Sequence, residues 1–174
     1  PDLLPAVEKA PSHMILRDAQ PVDFEALLAL NAAEERQTSP LDAARLAQLH
    51  AIASHHLVAV VDGHIAGFLL AMRNDADYKN DNFRWFAARY DRFVYVDRVV
   101  VSAAHAGRGI GSTLYDSLFE SAHRNGDARV VCEYNLTPPN PVSARFHTKY
   151  GFSEVGVLDH VDTGKRVSMQ ARPV

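Results

Sequence analysis

Short apolar segments alternate with amphipathic ones along the chain, and this pattern predicts an α/β fold. Strands are predicted where apolar residues lie between turn-forming residues, at 13–17, 56–61, 64–72, 93–102, 128–135, 152–158 and 166–171. Helices are predicted where apolar residues recur with helical spacing, from Pro21, after Thr38-Ser39-Pro40, at 112–123 and at 140–150. Asp62-Gly63 predicts a tight hairpin, because glycine readily adopts the positive φ of such turns.

Length and composition indicate one globular unit. The chain has 174 residues, of which 47% are hydrophobic and 22% charged, and its formal net charge is -3. This length suits a single domain, and the charge gives no reason to expect a nucleic acid or an acidic membrane as a partner. The longest apolar run, 57–61, is far shorter than the ~18 residues of a membrane span.

The cysteine content and the first residues bear on compartment and boundaries. Cys132 is the only cysteine, so no intramolecular disulfide can form, and we expect a cytoplasmic protein. Residues 1–12 contain three prolines and lack periodicity. We interpret 1–12 as an N-terminal tail, partly of foreign origin to judge from Ser-His-Met at 12–14, and 13–174 as the domain.

The most informative segment joins the strand at 93–102 to the helix at 112–123 through Ala106-Gly107-Arg108-Gly109-Ile110-Gly111. Glycines before a helix leave its first backbone N–H groups exposed, and the helix dipole adds positive potential there. The segment therefore predicts a phosphate site, with a plain tight turn as the alternative. A Walker loop is disfavoured because no Lys follows Gly111, and a dinucleotide fingerprint because Ser112 stands where it requires Gly or Ala.

With this loop, the sequence resembles the GNAT acyltransferase superfamily, whose signature is a strand, Arg/Gln-x-x-Gly-x-Gly/Ala and a helix. Residues Tyr95-Val96-Asp97-Arg98-Val99-Val100-Val101 resemble the fourth strand of that family. The segment 140–152 resembles its Asn-x-x-Ala/Ser-x-x-Leu-Tyr/His-x-Lys-x-Gly-Phe motif. Ala106 departs from the pattern, because the family usually has Arg or Gln there, but Arg108 remains available to meet a phosphate.

The resemblance runs from about His13 to the C-terminus and implies a single N-acetyltransferase domain. Its fold would be a central, mostly antiparallel sheet of about seven strands, splayed between the fourth and fifth and flanked by about four helices. It also implies that an acetyl group moves from acetyl-CoA, the co-substrate, directly to a primary amine of a small molecule or peptide. A non-catalytic acyl-CoA-binding sensor or regulatory module of the same fold is the alternative.

The family likeness also implies which residues hold the coenzyme. They are Val99, Val100, Val101, Arg108, Gly109, Ile110, Gly111, Ser112, Thr113 and Asn140. Backbone groups at 99–101 would pair with the pantetheine arm as with another strand. A β-bulge near Val99 or Val100 would aim an N–H at the thioester oxygen, while Asn140 is also a good helix cap.

An amine must be neutral before it attacks, so we expect a general base. Asp97 is the first candidate, because alternation along its strand places it on the same side as Val99 and Val101. Glu133, on the neighbouring strand, is the second. For each carboxylate the alternative is a structural ion pair, for example with Arg98 or Arg129.

The leaving thiolate needs a proton or a hydrogen bond. His147 occupies the position at which the family often has Tyr, and phosphinothricin-type acetyltransferases are similar in having His there. The resemblance therefore implies that His147 is the donor, since imidazole titrates near neutrality. A histidine that merely packs beside Phe146 and Tyr150 is the alternative.

The remaining features narrow the chemistry without identifying the acceptor. Cys132 lies in an apolar strand and is expected to be inert, and the histidines lack ligand spacing, so we expect no metal. The aromatic segment 74–92 is interpreted as a wall of the acceptor site, because it leads into the cleft strand, with a packed insertion and dimer surface as the alternative. The amine and the oligomeric state stay open, a homodimer included.

Overall fold

The computed structural model describes residues 13–35 and 38–174, so the expected tail at 1–12 lies outside the described residues. The strands are β1 (Met14–Asp18), β2 (His55–Val61), β3 (His64–Arg73), β4 (Val94–Val101), β5 (Arg129–Thr137), β6 (Ser153–His160) and β7 (Lys165–Pro173). The α-helices are α1 (Phe24–Ala33), α2 (Ala43–Ile52), α3 (Asp81–Ala87), α4 (Ile110–Asn125) and α5 (Pro141–Tyr150). Within the described part of the chain, no helix is both long and apolar enough to cross a membrane.

The seven strands form one sheet in the order β1-β2-β3-β4-β5-β7-β6. Neighbouring strands are antiparallel except for β4 and β5, which are parallel. The predicted mostly antiparallel sheet is therefore confirmed. The hairpin between β2 and β3 is confirmed as well, with φ of 50° at Asp62 and 80° at Gly63.

The two faces of the sheet carry separate buried clusters. On the first, which we call the α1–α3 face, helices α1, α2 and α3 cover Phe68, Leu70 and Tyr95. On the second, the α4–α5 face, α4 and α5 pack against Leu69 and Val94. Adjacent residues such as Leu69 and Leu70 fall into different clusters because successive strand side chains point to opposite faces.

The segment 73–92 contains a helix that the sequence did not predict. Helix α3 has seven residues, too few for a convincing helical pattern of apolar positions. The side chain of Asn80 caps it, accepting from the backbone N–H groups of Asn82 at 2.9 Å and Phe83 at 3.1 Å. Phe83 and Phe86 are buried in the cluster of the α1–α3 face. In the described part of the chain the sheet is therefore flanked by five α-helices rather than about four, and the aromatic side chains of the segment pack into or against the core.

Strand β4 contains a β-bulge at Asp97, before the predicted positions Val99 and Val100. The register of β3 and β4 shows it, because Leu70 pairs with Arg98 and Ala71 with Val96. Asp97 is thus the extra residue of β4. The expectation of a bulge near Val99 or Val100 is corrected accordingly, since both of those residues keep regular partners on β3.

The bulge resets the alternation of side chains along β4. Asp97 and Arg98 both contact the α1–α3 face, where Asp97 accepts a hydrogen bond from Tyr78. Val99 and Val101 pack against the cluster of the opposite face. The expectation that Asp97 shares a side with Val99 and Val101 is therefore wrong, because it assumed a strand without an inserted residue.

Candidate active site

A fork opens in the middle of the sheet between β4 and β5, as the family resemblance implied. The parallel pairing ends at Tyr95 and Val131, yet β4 continues to Val101 and β5 to Thr137. Strand β4 stays paired with β3 on its other side. One edge of 96–101 therefore presents backbone N–H and C=O groups to the fork, where an extended ligand can add to the sheet.

The glycine turn lies where β4 meets α4. Gly107 and Gly109 have φ of 77° and 73°, a conformation that favours glycine. A Cβ atom at either position would meet nothing within 4 Å, so the turn borders open space. No side chain caps α4, and the N–H groups of 110–112 have no acceptor among the described residues. Together with the helix dipole, this arrangement can bind an anion.

The other residues predicted to bind the coenzyme differ in what they can offer. Val100 and Ile110 are buried, so each has only backbone groups to present. Arg108 is exposed beside the turn. Asn140 caps α5 as expected, since its Oδ1 accepts from the backbone N–H of Ser143 at 3.1 Å. Half-buried residues at the turn and the fork are Val99, Val101, Gly111, Ser112 and Thr113.

Glu133 lies on β5, just beyond the last parallel pair. Its Oε1 accepts from the hydroxyl of Tyr95 at 2.8 Å and from Nδ2 of Asn82 at 2.9 Å. Its Oε2 is shielded from solvent and has no hydrogen-bond partner among the residues described. Burial raises the pKa of the Glu133 carboxyl to about 8, although both hydrogen bonds lower it. A carboxyl that titrates near neutrality and keeps one oxygen unoccupied is suited to accept a proton.

Asp97 is engaged by two other side chains. Its Oδ2 pairs with Nε of Arg98 at 2.7 Å, and its Oδ1 accepts from the hydroxyl of Tyr78. The side chains of Arg98 and Asp97 are only 5% and 4% exposed. Arg98 also donates to Oδ1 of Asn31 at 2.8 Å and to the backbone oxygen of Ser39 at 3.0 Å, which connects β4 to the α1–α2 loop. The structural ion pair that the sequence left as an alternative for Asp97 is present.

His147 is buried on the opposite face and has protein partners at both ring nitrogens. Nδ1 lies 2.8 Å from the backbone oxygen of Ser143, so this nitrogen carries the proton. Nε2 then accepts from the hydroxyl of Tyr115 at 3.0 Å. Burial lowers the pKa of the imidazole and so favours its neutral form. This geometry favours the packing alternative for His147.

The three predicted catalytic side chains do not form one cluster. Asp97 and Glu133 lie beside the fork on the α1–α3 face, where their partners Tyr78 and Tyr95 belong to one buried cluster. His147 instead contacts Tyr115, which belongs to the cluster of the α4–α5 face. If one of the carboxylates is the base and His147 is the donor to the leaving thiolate, the two groups must reach the thioester from opposite faces of the sheet, through the gap between β4 and β5.

Sequence reasoning did not single out the two residues that hold Glu133. Tyr95 reads as one aromatic residue in a buried strand, and nothing local marks its hydroxyl as a partner of Glu133. Asn82 lies in α3, which was not predicted. The signal that could have located it is Asn80-Asp81 before an aromatic run, since Asn is a preferred helix cap and an acidic residue suits the first turn.

Gly67 on β3 is a second residue that the sequence left unnoticed. A Cβ atom there would lie 2.9 Å from the backbone oxygen of Val100 and 3.1 Å from Cγ2 of Ile110. Gly67 thus allows the first residue of α4 to approach the sheet closely. The C-terminal end of the glycine turn, at Ile110, therefore packs directly on β3.

Comparison with known families and curated proteins gives matches to acetyltransferases. The Acetyltransferase (GNAT) family matches residues 16–152. Phosphinothricin N-acetyltransferase of Streptomyces viridochromogenes is 33% identical over 102 residues, which cover 59% of this chain and 49% of that protein. Glucosamine 6-phosphate N-acetyltransferase 1 of Oryza sativa is 33% identical over 114 residues, covering 66% and 63%. The matched region thus spans less than two thirds of each of these relatives.

Solved structures share the fold. Ard1 from Thermoplasma volcanium superposes with a TM-score of 0.76 over 92% of this chain and 97% of that one, at 20% identity. The structure of yncA from Salmonella typhimurium with its cofactor acetyl-CoA gives a TM-score of 0.70 over 93% and 94%, at 21% identity. At such identities the likeness establishes the fold alone. The family match, which extends over most of the chain, shows that this protein belongs to the acetyltransferase (GNAT) family.

Proposed function

We propose that the protein is an acetyl-CoA-dependent N-acetyltransferase that moves the acetyl group directly to a primary amine of a small molecule or a peptide. The observation that carries the proposal is the fork, where the unpaired edge of β4 leads to the open glycine turn and Glu133 lies beside the opening. The named relatives, which act on phosphinothricin and glucosamine 6-phosphate, are N-acetyltransferases and support the reaction class.

The turn and the edge of β4 would hold the co-substrate. The free N–H groups at 110–112 offer hydrogen bonds to a diphosphate, and the positive end of the α4 dipole adds attraction. Arg108, exposed at the same turn, would add a cation. Backbone groups at 99–101 would pair with the amide-rich pantetheine arm, which places the thioester in the fork near Glu133.

Glu133 is our choice for the general base, ahead of Asp97. Both oxygens of Asp97 are engaged by Arg98 and Tyr78, whereas Oε2 of Glu133 has no partner among the described residues. Oε2 would take a proton from the amine as the amine nitrogen bonds to the carbonyl carbon of the thioester. The C–S bond then breaks, its electron pair leaves with the thiolate, and the proton passes from Glu133 to solvent. A pKa of about 8 allows Glu133 to accept and release this proton near neutral pH.

Direct transfer is favoured over a covalent acyl-enzyme on the cysteine. Burial raises the pKa of the Cys132 thiol, so its nucleophilic thiolate form is disfavoured. Cys132 also lies in the cluster of the α4–α5 face, whereas Glu133 points to the other face. The acetyl group therefore has no suitably activated thiol of this chain to bind on its way to the amine.

The test is a free-thiol release assay with acetyl-CoA and a panel of amines, combined with thermal shifts in acetyl-CoA. The panel should include polyamines, amino acids, amino sugars and peptide N-termini. We expect stabilisation by acetyl-CoA and thiol release with at least one primary amine. Stabilisation without turnover on any amine would favour the acyl-CoA sensor instead.

Replacement of Gly109 by alanine tests the glycine turn separately. The added Cβ would project into the open space before α4, so we expect acetyl-CoA affinity to fall about tenfold or more, measured by calorimetry. Gly63→Ala is the matched control, because Gly63 also has positive φ and nothing within 4 Å of an added Cβ. Unchanged affinity in a folded Gly109→Ala variant would contradict the assignment of the turn.

A further inference from the structure

Asn82 reaches Glu133 from outside the two strands that form the fork. It is the second residue of α3, and its Nδ2 donates to Oε1 of Glu133 at 2.9 Å. The backbone N–H of Asn82 is held by the side chain of Asn80 at 2.9 Å. The hydrogen bond of the helix cap therefore fixes the backbone position of Asn82 independently of its contact with Glu133.

His160, the last residue of β6, contacts the other end of the same amide. Its Nε2 lies 2.8 Å from Oδ1 of Asn82. Because an amide oxygen can only accept, His160 must carry a proton on Nε2, and the NH₂ group of Asn82 then faces Glu133. A reversed amide would turn its oxygen toward the ionised carboxylate, and the contact with Glu133 would then be lost. Its NH₂ would face His160, which could keep that contact only as the tautomer with its proton on Nδ1.

The contact selects one oxygen of Glu133. Asn82 and Tyr95 both donate to Oε1, at 2.9 Å and 2.8 Å, while Oε2 has no partner among the described residues. A carboxylate held through one oxygen has a defined orientation and leaves the other oxygen available. The hydrogen bond from Asn82, together with that from Tyr95, thus determines which oxygen can take a proton.

We propose that Asn82 is a positioning residue, which holds Oε1 of Glu133 and leaves Oε2 to accept the proton, and that His160 sets the orientation of the Asn82 amide. This inference rests on the proposed function, in which Glu133 is the base. It extends the working site to α3 and to the end of β6. Neither element takes part in the coenzyme signature of the sequence.

Other titratable and charged groups also affect the pKa of Glu133, and they stay in place when Asn82 is replaced. The titratable or charged groups on the same face as Glu133 are Tyr95, Asp97 and Arg98 from β4. Tyr115 from α4 and Cys132 from β5 interact with it electrostatically from the opposite face of the sheet. Asp97 raises the pKa of Glu133 and Arg98 lowers it, and both remain when Asn82 is replaced. The hydrogen bond from Asn82 stabilises the ionised carboxylate, so its removal must raise the pKa of Glu133.

The experiment is a titration of the Glu133 side chain in the full chain without any ligand. Glutamate labelled with ¹³C at the carboxyl carbon is followed by NMR, and the Glu133 signal is identified by its loss in Glu133→Gln. In Asn82→Leu we expect the pKa of Glu133 to rise by about one unit, a roughly tenfold change in its dissociation constant. His160→Phe should raise it by less, because the Asn82 donor is then misaligned rather than removed.

Asn125→Leu is the matched control, because Asn125 also donates from Nδ2, to Ser121, at a distant exposed site. It should leave the pKa of Glu133 unchanged. If Asn82→Leu does not fold by circular dichroism, Asn82→Ser removes the same donor without adding apolar volume. A wild-type pKa in the folded variant would overturn the role of Asn82.

The pH dependence of kcat/KM then tests separately whether Asn82 positions Glu133 and whether Glu133 is the base. With the amine that turns over fastest in the panel, the rising limb of kcat/KM against pH should move upward in Asn82→Leu by the same amount as the NMR pKa. An NMR shift without movement of that limb would overturn the assignment of Glu133 as the base. In that case Asn82 holds the carboxyl but does not act in catalysis.

Discussion

Asp97 and Glu133 lie beside the same fork on the same face of the sheet, yet their surroundings are opposite in character. Asp97 has a buried cation, Arg98, at 2.7 Å, and both of its oxygens are engaged. Glu133 has two neutral donors on one oxygen and, within the part of the chain that the structure describes, none on the other. A buried carboxylate that is paired with a cation stabilises the fold as part of an ion pair. One that is held only by neutral donors can exchange a proton near neutral pH.

The largest effect should come from Glu133→Gln, which removes the base and preserves side-chain volume. We expect kcat/KM for the amine to fall by about 10² to 10⁴, since general bases contribute factors of this size. Binding of acetyl-CoA, measured by calorimetry, should be nearly unchanged. If Glu133→Gln keeps wild-type turnover, Glu133 is not the general base and does not differ from Asp97 in function.

Asp97→Asn should affect stability before it affects the rate. Replacing one member of a buried ion pair leaves Arg98 without its counter-charge, and we expect a loss of about 3 kcal/mol in the free energy of unfolding, measured with urea. The double variant Asp97→Asn, Arg98→Met should recover part of this loss because no charge is left unpaired. If Asp97→Asn is as stable as the wild type and loses more activity than Glu133→Gln, then Asp97 is the base and Glu133 is the structural carboxylate.

The pH dependence of stability gives a third test of Glu133. The pKa of its carboxyl is raised from 4.5 to about 8 in the fold, so in this window the folded state keeps a proton that the unfolded state has released. Stability must therefore fall as pH rises through the window. Relative to Glu133→Gln, the wild type should lose about 2 to 4 kcal/mol between about pH 5 and pH 8, as followed by urea unfolding. Parallel stability curves would show that Glu133 titrates normally.

The smallest effect is expected at His147, on the other face. His147→Phe removes the acceptor of the Tyr115 hydroxyl, so we expect a stability loss of about 1 to 2 kcal/mol and a kcat within a few-fold of the wild type. Tyr115→Phe deletes the same hydrogen bond from the other side and should give a similar result. A hundredfold drop in kcat for His147→Phe alone would restore His147 as the donor to the leaving thiolate.

Local patterns were sufficient for the parts of this protein that depend on neighbours in the sequence. Alternating apolar residues marked the strands, Asp62-Gly63 marked the hairpin, and the glycines before α4 marked the open turn, because turns, caps and strand faces follow from local backbone preferences. The fourth-strand and 140–152 motifs were enough to indicate the family. None of these features requires knowledge of distant contacts.

Only the tertiary structure distinguished the two carboxylates. The bulge that puts Asp97 and Arg98 on the same face arises from how β3 and β4 pair, and a single inserted residue reverses the face of every residue beyond it in the strand. The pKa of Glu133 depends on burial and on donors from β4 and α3, which are remote from it in sequence. A proton affinity is set by everything that surrounds a group in space, so the order of residues along β5 could name Glu133 as a candidate but not rank it above Asp97.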